Sequence, residues 1–431
     1  MKKITLFLTA LAMGFAANSQ AQELPASPFT GVEPGTIENV YLYNVASGMF
    51  LGTNRRDPAF WTTRAQLDSR GIDVNLTASG DGFVINPKLG NNNSMNDFNL
   101  YLDTAQPATE WVFTPVSANG KTYYALSHTN TSADATKGGD WIVAARNANG
   151  NDNLPLITNK ADLALENGNL WQIITTAEMM QYLATATEEN PIDASFLVKD
   201  ADFAANSEYY SAWQGLPATN RDVCADNLVN CNRLQEIWGL TELDFYQELT
   251  GIPNGTYVLS ANACYNSTGQ NGINLNNFNA YLDKTNADVK GVIYMGEEET
   301  PMIHLYSLAL DAQATYCKKQ LGTHYVPGGN GQVSAAFYYG FFRTEPITVN
   351  VTDGTLRLGA KVTEGTGTSW VLLDNFTLTY KGDTGTGISE APEADEAGAI
   401  ADGKIYNLQG MEVSSTAQPG FYIINGKTVL K

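Results

Sequence analysis

The sequence predicts an all-β protein with two folded domains joined by one short helix. Three observations lead there. Short runs rich in Tyr, Val, Ile, Phe and Trp recur along the chain, bounded by Gly, Asn and Asp, which is the pattern of strands closed by turns. Thr175–Ala186 is the clearest helix, because it joins a capping box to helical spacing of apolar residues. The 431 residues exceed what a single hydrophobic core organises.

Met1–Ala21 reads as a secretory signal peptide. Lys2 and Lys3 open it, Ile4–Ala17 is its apolar run, and Ser19-Gln20-Ala21 offers a small-x-small cleavage site. The mature chain is expected to begin at Gln22. That run is too short to span a bilayer well, and no later stretch is apolar enough to cross one. The chain is therefore expected to be exported and not membrane-spanning.

Twenty-five basic residues face 45 acidic ones, a net charge of −20. A field of that sign repels nucleic acid and anionic membrane surfaces. Neutral partners, or Ca²⁺, suit it better. The four cysteines are Cys224, Cys231, Cys264 and Cys317. In an exported chain an even count permits two disulfides, with three pairings. Cys224–Cys231 and Cys264–Cys317 are the expected pairs, and buried free thiols are the alternative. A zinc site is not expected, since no Cys-x-x-Cys occurs and the three histidines are scattered.

Residues 22–174 form the first domain, and Asn39–Ile174 reads as all-β. Val40–Asn44, a Ser47-Gly48 turn and Met49–Gly52 give strand, turn and strand. Phe98–Leu102 with Trp111-Val112-Phe113, and Tyr123–Leu126 with Trp141–Ala144 and Trp171–Ile174, repeat the theme. A Tyr-Leu strand paired later with a Trp strand suggests a β-trefoil. The opening Tyr41-Leu42-Tyr43-Asn44-Val45 with Ser47-Gly48 resembles ricin-type lectin repeats. The Gln-x-Trp of that family is replaced by Thr109-Glu110-Trp111 and Asn169-Leu170-Trp171. A ricin-like sugar site is therefore not carried over, and the tryptophans are assigned to the core.

Residues 175–192 are the connector, in which Thr175-Thr176-Ala177-Glu178 caps a helix that ends before Asn190-Pro191. Residues 193–381 are the second domain. Gly251–Ala263 is a turn feeding an alternating strand, Ala280-Tyr281-Leu282 reads as another strand, and Met302–Leu321 as partly helical. Ile347–Val351, Thr355–Ala360 and Trp370–Tyr380 complete the set. Phe203 with Trp213, Ile252–Tyr257, Thr355–Gly359 and Trp370–Leu378 resemble the galactose-binding-like jelly rolls common among carbohydrate-binding modules. That resemblance implies a β-sandwich and a glycan ligand.

An acidic linker at 382–402 separates a tail, residues 403–431, with two β-rich runs, Ile405–Val413 and Phe421–Leu430. Its Ile-Tyr-Asn-Leu-x-Gly and Gly-Phe-Tyr-Ile resemble the C-terminal sorting segment of type IX secretion on exported Bacteroidetes proteins. The resemblance implies a secreted or surface location.

Catalytic signals are absent from the sequence. No Gly-x-Ser-x-Gly, His-Glu-x-x-His, P-loop or dinucleotide motif occurs, and no nucleophile motif flanks His128, His304 or His324. Glu297-Glu298-Glu299 on one loop cannot flank a glycosidic bond from opposite sides. Binding is better supplied. Tyr209, Tyr210, Trp213, Tyr265 and Tyr339 are the candidate glycan-stacking rings. By the jelly-roll resemblance, Asp374 in the last strand would ligate a structural Ca²⁺, completed by Asp200 or Asp202. The expected function is an exported, non-catalytic glycan-binding protein. The alternatives are a surface adhesin or structural protein recognising host or surface proteins, and a polysaccharide hydrolase.

Overall fold

The computed structural model describes residues 26–383 except 58–61, 90–93, 98–99, 103–108, 119, 129–140, 146–154, 160–167, 204–211, 220 and 226–232, and four short strands between 405 and 430. Two compact units emerge, Met1–Asp383 and Thr384–Lys431. The architecture is all-β, as the sequence predicts.

The first lobe of the larger unit carries ten strands: β1 (Ile37–Asn44), β2 (Met49–Asp57), β3 (Thr62–Asp68), β4 (Val74–Ser79), β5 (Gly82–Asn86), β6 (Val112–Ala118), β7 (Lys121–His128), β8 (Trp141–Ala145), β9 (Pro155–Asn159) and β10 (Leu170–Thr175). The path β3-β2-β1-β10-β7-β8-β9 runs through one sheet, with β4 on β1 and β5, and β6 on β7. Trp111 and Trp171 are buried, and their indole N–H groups donate to the Met95 and Val143 carbonyls at 2.9 and 3.1 Å. A buried Trp needs such an acceptor for its one donor. Phe98–Leu102 does not extend as a strand in its described part, because Leu100 is left-handed at φ 54.

Helix α1 (Thr176–Leu183) follows directly. The Thr175 hydroxyl accepts from Glu178 N at 3.2 Å, and Thr175 N donates to Glu178 Oε2 at 3.2 Å. Both arms of the capping box are thus made, which satisfies two amide donors that a helix start leaves open. Met179 and Leu183 point inward and join a core cluster that holds Tyr41, Tyr43 and Phe50 of the first lobe and Phe245, Leu358 and Leu373 of the second. One continuous apolar core therefore runs through both lobes.

The second lobe is a β-sandwich. Its strands are β11 (Ile192–Asp193), β12 (Arg221–Ala225), β13 (Arg233–Leu240), β14 (Leu243–Thr250), β15 (Gly255–Asn266), β16 (Gly291–Met295), β17 (Glu298–Pro301), β18 (Ile303–His304), β19 (Lys319–Leu321), β20 (His324–Val326), β21 (Ile347–Val351), β22 (Thr355–Val362) and β23 (Ser369–Tyr380). One sheet runs β12-β13-β23-β15-β18, with β11 on β23 and β21 on β15. The other runs β14-β22-β16-β17, and β19 pairs with β20 alone. Strand β14 alternates strictly, with Leu243, Phe245, Gln247 and Leu249 turned inward. The second half of β15 is buried on both faces. The cover on its outer face comes from α2 (Leu275–Leu282) and α3 (Asn330–Tyr338), whose Phe278, Val333, Ala336 and Phe337 pack on Cys264, Trp370 and Leu372.

One local reading is corrected here. Ala280-Tyr281-Leu282 ends a helix, not a strand. Asn274 caps α2 by accepting from Asn277 N at 3.0 Å, and Phe278 is the ring that α2 buries. Three residues are too few to show which period holds. Met302–Leu321 is partly helical, as expected, through one turn of 3₁₀-helix, Leu305–Ser307, set among short strands.

The smaller unit holds β24 (Ile405–Asn407), β25 (Glu412–Val413), β26 (Phe421–Ile424) and β27 (Lys427–Leu430), ordered β25-β24-β26-β27 and antiparallel throughout.

Candidate functional site

The aromatic run Phe337–Phe342 is divided by the end of α3. Phe337 and Phe342 are buried, whereas Tyr338 and Tyr339 are 39% and 51% exposed. The helix closes in a Schellman motif: Gly340 N donates to the Phe337 carbonyl at 2.9 Å, and Phe341 N to the Ala336 carbonyl at 3.0 Å. Gly340 takes the left-handed conformation this needs, at φ 82. The reversal leaves Tyr339 and Phe341 on either side of Gly340. Asn262 then fixes the exit, its Nδ2 donating to the Phe341 carbonyl at 2.8 Å.

A second segment completes the site. Ala314 and Cys317 exchange backbone hydrogen bonds at 3.0 and 3.1 Å, closing a tight turn with Thr315 exposed and Tyr316 half-buried. The buried Cys317 anchors that turn. Tyr316 lies 5.1 Å from Tyr339 and 4.9 Å from Phe341, between ring centroids. Tyr338 stands edge-on to Tyr339 at 5.4 Å. The ring contacts thus run Phe341, Tyr316, Tyr339, Tyr338. Aromatic faces with phenolic hydroxyls can stack on C–H surfaces and hydrogen-bond at their rims. Trp238 on β13 is also 39% exposed, whereas rings elsewhere on the sandwich are less available. On the outer face of β14, β22 and β16, Arg357 lies over the Tyr246 ring at 3.5 Å and Lys361 over Tyr294 at 5.6 Å.

Of the expected glycan-binding rings, Tyr339 is in this row. Tyr209 and Tyr210 lie outside the described residues. Trp213 and Tyr265 are corrected to core. Trp213 is stacked on Phe245 at 4.6 Å and packs against Phe376 at 4.9 Å, with its indole N–H donating to the Asp200 carbonyl at 3.3 Å. Tyr265 sits in the doubly covered half of β15, fully buried, and its hydroxyl shares a 2.9 Å hydrogen bond with Ser369. Sequence reasoning missed Tyr316, because nothing in its own segment shows that Tyr339 and Phe341 come to meet it.

Asp374 and Asp202, expected to hold calcium, face arginine instead. Among the described residues no group of three or more His, Cys, Asp or Glu is placed to hold a metal. Asp374 is fully buried, and it accepts from Asn375 N at 2.7 Å and Asn375 Nδ2 at 3.1 Å. Its charge acts on the guanidinium groups of Arg70 and Arg343. Asp202 pairs with Arg70 at 3.2 Å, and Asp200 lends its carbonyl to Trp213. Arginine thus meets the negative charge that a cation would have met. Arg70 comes from the first lobe, and Asp202 and Asp374 from the second. A cavity of about 30 Å³ lies among Tyr41, Asp68, Arg70, Phe196, Asp200 and Asp202, large enough for water.

The Cys264–Cys317 disulfide is likewise corrected. Both are free thiols, buried in the apolar cluster under α2 and α3. Burial pushes the Cys317 thiol up to about 12 and Cys264 well above the usual thiol range, so each packs as a small apolar residue. The Cys224–Cys231 pairing lies outside the described residues.

The histidines are built into the fold. His128 is buried edge-on to Trp111 at 4.9 Å, and His324 lies 3.5 Å from Asp311. His304 stacks on Tyr281 at 4.4 Å, and its Nδ1 accepts from Tyr306 N at 3.1 Å. Burial pushes the His304 imidazolium down to about 4, against a smaller upward pull from the Asn286 backbone. The unfolded chain therefore binds the proton more tightly. Stability should be fully present above about 6.5 and be lost as pH falls toward 4, by about 3 kcal/mol for a shift of this size. His304→Asn keeps an acceptor for Tyr306 N and removes the titration. Melting measured between pH 7 and 4 should show a flatter decline in His304→Asn than in the parent. Equal slopes would remove His304 from the acid response.

No known protein family and no curated protein matches the chain. Several solved structures show low similarity. The carbohydrate-binding module TmCBM61, solved with β-1,4-galactotriose, is 14% identical, covers 43% of this chain and 97% of its own, and has a TM-score of 0.24. A Culex salivary protein of the cysteine- and tryptophan-rich family is also 14% identical, over 37% of this chain and 99% of its own, with a TM-score of 0.22. The secreted serine protease VesC of Vibrio cholerae is 11% identical, covers 84% of this chain and 52% of its own, and has a TM-score of 0.15. Likeness at these scores assigns neither family nor ligand.

Proposed function

We propose that this is an exported, non-catalytic glycan-binding protein that holds its ligand on the row Phe341, Tyr316, Tyr339, Tyr338. The observation that carries this is the pair of exposed tyrosines at the end of α3, Tyr338 and Tyr339, continued by the partly buried rings of Phe341 and of Tyr316 on the neighbouring turn. Aromatic residues this exposed add little to folding and fit a surface kept for contact. A net charge of −20 disfavours nucleic acid and anionic surfaces, and an uncharged saccharide meets no such penalty. Stacking and hydroxyl contacts need no cofactor. The lack of a catalytic motif in the sequence supports a binding role, and the Met1–Ala21 leader and the Ile-Tyr-Asn-Leu tail support export.

The test is retention on polysaccharide affinity gels. Tyr339→Ala should stay folded and lose no more than about 1–2 kcal/mol, the order of its ring contacts with Tyr316 and Tyr338. It should also migrate freely through a gel that retards the parent. A parent that no polysaccharide gel retards, yet that binds host or surface proteins through the same tyrosines, would move the assignment to an adhesin. Release of soluble sugar from the gel would move it to a hydrolase.

A further inference from the structure

We propose that the aromatic row selects a soluble, uncharged polysaccharide chain that turns about its own axis, engages several successive sugars of it, and does not bind flat crystalline surfaces. This rests on the glycan-binding reading and adds the shape and length of the ligand.

The inference comes from ring spacing and tilt together. Successive centroids are 4.9, 5.1 and 5.4 Å apart. Each step is a direct ring-to-ring contact, so the four rings form one continuous aromatic surface rather than isolated rings. The planes are not parallel. Phe341 and Tyr316 are inclined at 40°, Tyr316 and Tyr339 at 48°, and Tyr339 and Tyr338 at 82°. A crystalline polysaccharide presents coplanar sugar faces, and it needs coplanar rings to lie on. Inclined rings would touch such a surface along one edge each. A free chain can rotate from sugar to sugar and offer its faces in turn.

The platform is also fixed before binding. The Schellman motif sets Tyr338, Tyr339 and Phe341, and the hydrogen-bonded turn Ala314–Cys317 sets Tyr316. Phe341 is followed by Phe342, left-handed at φ 58, whose carbonyl accepts from Ala263 N at 2.9 Å. A preset arrangement loses little entropy when the ligand docks, and it also cannot flatten to suit a planar surface.

The experiment uses the full chain. Ladders of cello-, xylo- and manno-oligosaccharides of increasing length are titrated calorimetrically, microcrystalline cellulose is tested by sedimentation, and polygalacturonate serves as the charged probe. On one ladder, affinity should rise roughly tenfold between the disaccharide and the longer members and then level off. Cellulose should leave the protein in the supernatant. Phe341→Ala and Tyr338→Ala, at the two ends of the row, should each shorten the rise. Equal affinity along every ladder, adsorption to cellulose, tighter binding of polygalacturonate, or a rise unchanged in both variants would overturn the proposal and leave the glycan-binding reading standing. No binding of any saccharide would remove both.

Discussion

Replacing Arg70 by Ala should destabilise the larger unit by about 3–5 kcal/mol, because it leaves buried carboxylates without their cation. Arg70 pairs with Asp202 at 3.2 Å, with the two side chains only 15% and 9% exposed. It also feels the charges of Asp68, Asp193 and Asp374. Arg343 cannot take over easily. Its guanidinium is committed to the Asn375 carbonyl at 2.7 Å and to Ser260 Oγ at 2.6 Å. The melting temperature should fall by roughly 2–4 °C for each kcal/mol. Asp202→Asn, made in the Arg70→Ala background, should recover part of the loss by removing one unmatched charge. A chelator should leave the parent unchanged. The opposite pair of results, a large drop with chelator and little effect of Arg70→Ala, would return Asp374 to a metal site.

The same seam shows what the sequence could disclose. The position of Asp374 in the closing strand was legible from Trp370–Tyr380. Its partner was not, since Arg70 belongs to the other lobe and only the folded chain brings it near. The capping box was legible for the converse reason. Thr175 and Glu178 act on each other within one turn, so three residues of sequence contain the whole interaction. The first half of β15 could be read from its alternation, because a more open side and the core side write a period of two. The second half of β15 lost that pattern when α2 and α3 covered its outer face, and Tyr265 went into the core with it. Within the aromatic row, Tyr339 was found because it lies in a conspicuous run of rings. Tyr316 stands apart in sequence, and only tertiary proximity makes it the centre of the site.

Trp213→Ala should cost about 3–5 kcal/mol, the range for truncating a buried Trp. At 5% exposure the indole fills the space between Phe203, Phe245 and Phe376, at ring distances of 5.6, 4.6 and 4.9 Å. It also donates its one N–H to the Asp200 carbonyl. Asp200 is left-handed, at φ 49, and so is Phe203, also at φ 49. The Trp213 hydrogen bond therefore holds a strained stretch against the sandwich, and Phe376 N donating to the Ala201 carbonyl at 2.9 Å holds it from the other side. Trp213→Phe keeps an aromatic ring for Phe245 to stack on and loses the hydrogen bond, so its loss should be smaller. A loop Trp rich in polar neighbours looks the same in sequence whether it faces sugar or core, and stability separates the two. Below its melting temperature, Trp213→Ala should still be retarded on any polysaccharide gel that holds the parent, whereas Tyr339→Ala should not. A Trp213→Ala protein that melts like the parent but escapes the gel would place the ligand at Trp213 and away from the aromatic row.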